Sequence, residues 1–600
     1  MNYRKFLIAA LLVMSFAVQA KDITVTRLTG EMRDGRVTTS DTPRLGWQMS
    51  SPENGTRQTA YEIEIRDVWA GKVVWNSGKV KSAQSQLVSC ADAVLEKDRH
   101  YTWRVRVWDE ADTPSAWSAP SDFSILTSEA AFAGSEWIGA ITRKDARIPE
   151  GRKYHGSELK KPEAKAAWDA VDTLAKKSIY LRREFHVAKK VKDATAYVCG
   201  LGFYEFSLNG EKVGDSEFAP LWSDYDKSVY YNTYDVTSQV KKGGNAIGVL
   251  LGNGFYNVQG GRYRKLQISF GAPTLRFRMV VNYEDGTSET IVSGKDWKYR
   301  RGKSLFTSCL NNGHKLICDL CTANNDWKYD FSPVLFNCIY GGEDYDARRE
   351  QKGWNMFGFK EQDWRPVVIQ EAPKGVLRPQ IAQPVKIMER YDIRKVTKLT
   401  AEQITAACKS TKRTVDPSAF VLDMGQNLAG FPEITVRGKK GQKITLLVSE
   451  SLTDEGACNQ RQTGRQHYYE YILKGEGVET WHPRFSYYGF RYIQVEGAVL
   501  KGQKNPFRLP VIQKIQSCFV YNSAPKISTF ECSNRIFNDA HRLIEKAVRS
   551  NMQSVFTDCP HREKLGWLEQ DHLCGPGLLY NYDLTGFVPQ TLQNIADAQH

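Results

Sequence analysis

The hydrophobic period of this chain changes near Ser533, and that change limits what the chain can fold into. Upstream, apolar residues recur at every second position. Tyr61-Glu62-Ile63-Glu64-Ile65 and Tyr101-Thr102-Trp103-Arg104-Val105-Arg106-Val107 alternate strictly, as strands with one buried face do. Ala196 to Leu208 reads as strand, and Asn209-Gly210 is a two-residue hairpin signal before Glu211-Lys212-Val213. Ile434-Thr435-Val436 alternates again. Gly438 and Gly441 then flank a turn before Ile444 to Val448 and Glu450. Downstream, Ile536, Ala540, Leu543, Ile544, Ala547 and Val548 recur at helical spacing behind Ser533 as N-cap, with Glu545 outside the stripe. Leu578-Leu579-Tyr580 continues as a second helical face, and Thr591 to Ala596 reads as a helix still in progress.

Six hundred residues exceed a single core and predict three or four domains. The first twenty have the layout of a secretory signal: Arg4 and Lys5, an apolar run from Phe6 to Val18, and Val18-Gln19-Ala20 as a cleavage site. That run is too short to span a bilayer. The expected product is periplasmic or secreted, cut after Ala20, without a membrane span. The 82 basic residues less the two in the signal leave 80 against 68 acidic ones, a net +12. This charge is dispersed and not gathered into the basic face that nucleic acid requires, so no nucleic-acid partner is expected. Twelve cysteines are too sparse for a disulfide scaffold. Cys309, His314, Cys318 and Cys321 form a C-x4-H-x3-C-x2-C cluster, whose spacing departs from structural zinc sites, so no metal is assigned. Between the two copies of an Asp-Trp-Lys-Tyr tetrad, at 296–299 and 326–329, lies this cysteine-rich segment, the mark of a local insertion.

Chemistry concentrates in FTDCPHREKLGWLEQD, Phe556 to Asp571. It brings Asp558, Arg562, Glu563, Glu569 and Asp571 around Trp567. Paired carboxylates, a cation and an indole are what glycosidic-bond cleavage needs: one acid for the leaving oxygen, a second carboxylate for the anomeric carbon, and an aromatic plane for the sugar. A charged run at a helix end is also an ordinary solvated surface.

The run resembles the active-site signature of bacterial α-L-rhamnosidases, glycoside hydrolase family 78. Asp558-Cys559-Pro560 opens it, Arg562-Glu563 follows, and Leu565-Gly566-Trp567 closes it. The resemblance implies that Glu563 is the general acid and that Asp558 and Arg562 line the sugar subsite, with Trp567 packing on the ring or its loop. Gln570 takes the place of a third acidic residue, between Glu569 and Asp571. Many members carry two acidic residues before an Arg/Lys-Leu-Gly-Trp block, where this chain has Glu563 alone.

The rest of the chain carries the same likeness. GLGFYEFSLNGEKVGD, then Trp222, Asp224 and Tyr225, TYDVT and GVLLGNGFYN, resembles the family's N-terminal jelly roll over roughly 60 residues. Such domains bind sugars in relatives, sometimes with calcium, but no ligand set is assigned here and no cofactor is expected. Trp222, Tyr225, Phe255 and Tyr256 are read as core aromatics before sugar platforms. Asp423-Met424-Gly425-Gln426-Asn427 and PRFSYYGFRYIQVEG resemble the sandwich that precedes the barrel and its closing strand, with Asp423 and Gln426 read as turn-makers first.

The expected order is a signal over 1–20, a fibronectin III or immunoglobulin-like sandwich over 22–128, a jelly roll over 132–372, a β-sandwich over 373–526, and the first helices of an (α/α)6 catalytic barrel over 528–600. The fold class is thus multidomain: N-terminal β-sandwiches, then the start of an (α/α)6 barrel. Twelve helices need more than about 200 residues. The barrel is therefore expected to be truncated, with an uncovered apolar helix face and without the family's downstream general base. The 600-residue chain is accordingly expected not to turn over by itself. The function implied is inverting removal of terminal α-L-rhamnose from plant polysaccharides or glycosides, with a rhamnose-containing oligo- or polysaccharide as partner. The alternative is a non-catalytic carbohydrate-binding remnant.

Overall fold

The computed structural model describes residues 22–599 apart from 36, 40, 98, 150–152, 156–160, 259–261, 263–265, 301–331, 410–417 and 462–465. The signal segment, the Cys309/His314/Cys318/Cys321 cluster and the second Asp-Trp-Lys-Tyr tetrad lie outside the described residues. The chain forms two compact units, dividing between Ala131 and Phe132.

In the first unit, strands Ala60–Asp67 and Arg99–Trp108 pair antiparallel at the centre of a five-stranded sheet, and Thr24–Gly30 pairs with Leu45–Ser50 in a second sheet. The alternation seen in the sequence is the reason. Ile63, Ile65, Trp103, Val105 and Val107 are buried on one face. On the other, Arg106 meets Glu62 at 2.6 Å and Arg104 meets Glu64 at 2.9 Å, across the sheet in register.

The second unit begins with a six-stranded and a seven-stranded sheet around Leu181, Val198, Phe277, Met279 and Trp297. Asn209 and Gly210 both take positive φ (+53° and +90°), the double left-handed turn that a two-residue hairpin requires, and strands Tyr204–Leu208 and Glu211–Lys212 pair across it. The strand expected over 196–208 is broken at Gly202. Its φ is +112°, and a Cβ there would stand 2.0 Å from the Gly252 carbonyl oxygen.

An eleven-stranded sheet follows, built on the eighteen-residue strand Phe420–Arg437. Register slips between Asp423 and Leu428. Asp423 accepts the Gly425 amide at 2.8 Å and takes the Arg491 guanidinium at 2.8 and 2.9 Å, so it does shape a turn, and Gly425 has φ +79°. The strand expected to close the sandwich does not. Tyr488–Glu496 lies inside the sheet, between Phe420–Arg437 and Lys443–Ser449, and Val511–Asn522 comes after it. The physical reason is burial on both faces, since most of its residues are covered on either side.

One core joins these sheets to the helices: Phe203, Phe218, Phe431, Tyr487, Phe556, Leu578 and Phe587 belong to it. Three helices end the described chain, Arg535–Asn551, Leu568–Asn581 and Phe587–Asp597. The first is capped by Asn534, whose side chain accepts the Ile536 amide at 2.9 Å, and not by Ser533. Asn534 has extended φ/ψ and is one residue closer to the first helical turn, which puts its oxygen in reach. The polar face of this helix meets the sheet: Lys546 and Arg549 pair with Glu389 at 3.0 and 3.2 Å, and Lys526 pairs with Glu545. Its apolar stripe faces away, with Ile536, Leu543 and Ile544 exposed. In the second helix Leu578 is buried, while Leu579 and Tyr580 are exposed. Among the described residues no helix is long and apolar enough to cross a membrane.

Candidate active site

The run from Thr557 to Gly566 is a closed turn, and its own side chains close it. Thr557 bridges Gly566, and the Asp558 amide donates to the Leu565 carbonyl at 2.9 Å. Asp558 Oδ1 accepts the Leu565 amide at 3.2 Å. Inside this frame the Lys564 amide donates to the Cys559 carbonyl at 3.2 Å, and the Glu563 amide to Cys559 Sγ at 3.4 Å. Cys559 thus serves as a small acceptor in the turn, and its thiol donates to Asp558 Oδ2 at 3.4 Å. The Thr557 amide holds the Asn551 carbonyl at 2.9 Å, tying the turn to the first helix.

The turn lies flat on the sheet because position 489 has no side chain. A Cβ there would stand 2.7 Å from Pro560 Cγ and 2.9 Å from Glu450 Oε1. Beside it His561 Nδ1 is 3.2 Å from Glu450 Oε2, and Asn427 donates to Glu450 Oε1 at 3.1 Å. Burial holds the His561 imidazole below its usual range, against the pull of Glu450.

Glu563 sits at the outer bend with its side chain 18% exposed, and Arg562 Nη2 is 3.5 Å from its Oε1. Arg562 is itself half exposed. Lys564, the next residue, is 3% exposed and turns inward through a left-handed backbone (φ +52°). Its Nζ donates to the Ile339 and Tyr487 carbonyls, each at 2.6 Å. Burial pushes this ammonium down to about 7, with the Cys338 and Cys559 thiols acting the other way. His467 stacks on Tyr488 at 4.2 Å, and burial, with Lys564 and His561 nearby, drives its imidazole well below the ordinary value.

Past the turn, Trp567 is the N-cap residue of the second helix and is 48% exposed. It opens onto a cavity of about 970 Å³, whose wall includes Trp222, Phe255, Phe270 and Tyr340 on one side and Lys564, Gly566 and Asp571 on the other. Burial raises the Asp571 carboxyl. Of the sequence-predicted residues, Trp567 lines this cavity. Glu563, Asp558 and Arg562 belong to the turn and not to the cavity wall, and Gln570 lies in the first turn of the helix with its Oε1 buried and, among the described residues, unbonded. Trp222 and Phe255 line the cavity, whereas Tyr225 and Tyr256 are buried and pack edge to face at 5.2 Å. Gln426 stays within its own bulge, and Asp423 binds the bulge and Arg491 of the neighbouring strand. Their neighbour Asn427 reaches the turn through Glu450. Lys564, Glu450 and His467 escaped the sequence reading. Lys564 alone had a signal, its place between Glu563 and Leu-Gly-Trp, but nothing in the residue type announces a buried amine. Among the described residues no three His, Cys, Asp or Glu side chains converge as metal ligands.

Family models match in the order of the fold: a Rha78A-like N-terminal immunoglobulin domain over residues 25–126, the α-L-rhamnosidase N-terminal domain over 189–316 and 317–389, the bacterial α-L-rhamnosidase concanavalin-like domain over 413–521, and the bacterial α-L-rhamnosidase 6 hairpin glycosidase domain over 525–600. An α-L-rhamnosidase of Formosa agariphila is 32% identical over 578 residues, covering 93% of this chain and 54% of the relative. One from Streptomyces avermitilis is 28% identical, covering 93% of this chain and 63% of the relative. The structure of a Dictyoglomus thermophilum α-L-rhamnosidase superposes with a TM-score of 0.74 at 29% identity, over 97% of this chain and 58% of that one. The Streptomyces avermitilis enzyme complexed with L-rhamnose superposes with a TM-score of 0.77 at 26% identity, over 96% and 65%. The chain spans about half the length of the first relative it matches.

Proposed function

The chain belongs to the bacterial α-L-rhamnosidases, and we propose that its protein hydrolyses terminal α-L-rhamnose from rhamnose-containing oligo- or polysaccharides, with Glu563 as general acid. The observation that carries this reading is the closed turn. Asp558, Cys559 and Leu565 lock each other, so that Glu563 stands at a fixed bend, mostly shielded from water, beside a cation able to hold a sugar hydroxyl.

In the inverting form of the reaction, Glu563 gives its proton to the glycosidic oxygen as the bond from that oxygen to the anomeric carbon breaks. A second carboxylate on the opposite face takes a proton from water, whose oxygen forms the new bond to that carbon. The two carboxyls must then stand about 6.5–9.5 Å apart, leaving room for the water. Asp558, Arg562, Trp567 and Gln570 are the sugar-side neighbours in this reading. A merely sugar-binding remnant would have no use for a carboxylate held in this frame.

The test is release of L-rhamnose from an aryl α-L-rhamnoside and from a rhamnose-bearing oligosaccharide, with NMR of the first-formed sugar. Inverted configuration is expected. Retention sinks the mechanism, and no release from any rhamnoside sinks the activity. Export with cleavage after Ala20 belongs to the same proposal. Secreted material should begin at Lys21, and a start at Met1 would refute it.

A further inference from the structure

Lys564 is placed where a lysine is expensive. Its side chain is buried, its Nζ lies 4.5, 4.8 and 5.4 Å from the ring centroids of Tyr487, Tyr488 and Tyr340, and no carboxylate pairs with it among the described residues. A lysine at the surface would complete the turn as well, without giving up its hydration. What the buried position adds is reach. Ile339 lies in the turn between strands Val334–Cys338 and Gly342–Asp346, and Tyr487 directly precedes strand Tyr488–Glu496. A single amine therefore ties the motif to two segments of the sheet that are 225 and 77 residues away in sequence.

We propose that Lys564 is a positioning residue: its amine, seated between the Ile339 and Tyr487 carbonyls, pins the 558–566 turn to the sheet and so sets where Glu563 stands. The left-handed backbone at Lys564 makes this possible. It sends one side chain inward at the residue after Glu563, which stays at the outer bend. The earlier half of the turn has its own fasteners, Pro560 on Gly489 and His561 on Glu450. The later half has Lys564. The inference rests on the reading of Glu563 as the acid.

The experiment compares Lys564→Met and Lys564→Arg with the unaltered chain in two ways. Amide hydrogen exchange in Lys564→Met should run at least about tenfold faster at Glu563 and Leu565, with strands Phe420–Arg437 and Tyr488–Glu496 protected as before. Turnover, read in a protein that also supplies the second carboxylate, should fall by about 10²-fold in kcat on an alkyl rhamnoside and far less on an activated aryl rhamnoside, with KM within about threefold, because a displaced acid matters most where the leaving group needs its proton. Lys564→Arg, which keeps cation and donors, should recover part of both. Equal kcat losses on the two substrates, unchanged exchange in the turn, or exchange raised uniformly across the sheet would each overturn the proposal. If Lys564→Met does not fold, Lys564→Gln must show the same split. The acid assignment is read separately from Glu563→Gln. If that variant has no leaving-group dependence the assignment fails, and if it has one while Lys564→Met does not, the pin fails.

Discussion

His561 stands with Nδ1 3.2 Å from Oε2 of Glu450, and this pair joins the turn carrying Glu563 to the end of strand Lys443–Ser449. The other oxygen of Glu450 takes the Asn427 amide, so one carboxylate gathers the bulge of the long strand, the end of strand Lys443–Ser449 and the 558–566 turn. Burial lowers the imidazole against the pull of Glu450, which weakens the contact as an ion pair.

Glu450→Gln, which keeps an acceptor for Asn427 and loses only the charge beside His561, should therefore cost less than about 1 kcal/mol at pH 8, whereas Glu450→Ala leaves Asn427 without this acceptor and should cost about 1–3 kcal/mol. Urea unfolding midpoints of the two variants check this. Equal losses would mean that the charge and not the acceptor matters.

In a protein that also supplies the second carboxylate, Glu563→Gln should remove most turnover on poor leaving groups, about 10²–10⁴-fold, and much less on an activated aryl rhamnoside. Asp558→Asn should weaken both substrates alike, since the amide oxygen can still accept from Leu565 while the carboxylate charge is lost. Steady-state kinetics on the two substrate types decide. Equal losses for Glu563→Gln would pass the role to Glu569.

The Lys564 amine has a folded pKa of about 7 against an unfolded value of 10.5, so its contribution to stability is full above 10.5 and lost as pH falls through 7. The stability margin of the unaltered chain over Lys564→Met should widen from pH 7 to pH 9, by at most about 1.4 kcal/mol per pH unit. Denaturant titrations at pH 7, 8 and 9 measure it, and a margin that stays flat would show that the amine stays charged.

Glu343 should behave in the opposite sense. Burial raises its carboxyl to about 7 against the nearby Arg484, and its Oε1 has no hydrogen-bond partner among the described residues, while Oε2 accepts from Asn337 at 3.3 Å. Raised above the unfolded 4.5, the group contributes stability that is full below 4.5 and lost as pH rises through 7. Glu343→Gln should therefore gain on the unaltered chain between pH 5 and pH 8, by at most about 1.4 kcal/mol per unit. Melting temperatures across that range test the sign.

The helices offer a contrast between two leucines. Leu543 is 72% exposed on the stripe that faces away from the sheet, so Leu543→Glu should shift the stability of this chain by no more than about 0.5 kcal/mol. Leu578 is buried in the shared core, and Leu578→Ala should cost about 2–5 kcal/mol. Calorimetry on both variants checks the pair. A large loss at Leu543 would mean that its face is covered in solution.

Local order was legible because it is written in neighbouring residues. The alternation at Tyr101 to Val107 names its own buried face, Asn209-Gly210 carries the positive φ its hairpin needs, and Asp558, Cys559 and Leu565 close a turn with atoms seven residues apart or fewer. The family was legible for the same reason, since its signature is one continuous run. Three readings shifted under tertiary pressure. The N-cap moved to Asn534, whose oxygen is nearer the first amides. The strand at 196–208 broke where the Gly252 carbonyl crosses Gly202. Tyr488–Glu496 became an interior strand because both of its faces are covered.

What the sequence by itself determined, then, is the kind of each segment and the chemistry available at the motif, because periodicity, turn residues and a short signature act within a few residues of themselves. Tertiary structure alone decided which side of that motif is buried. Glu450, Gly489, Ile339 and Tyr487 come from 71 to 225 residues away and, only by folding against the 558–566 turn, give His561 its partner and Lys564 its cage. Burial and long-range hydrogen bonds are properties of that packing, and no residue type states them in advance.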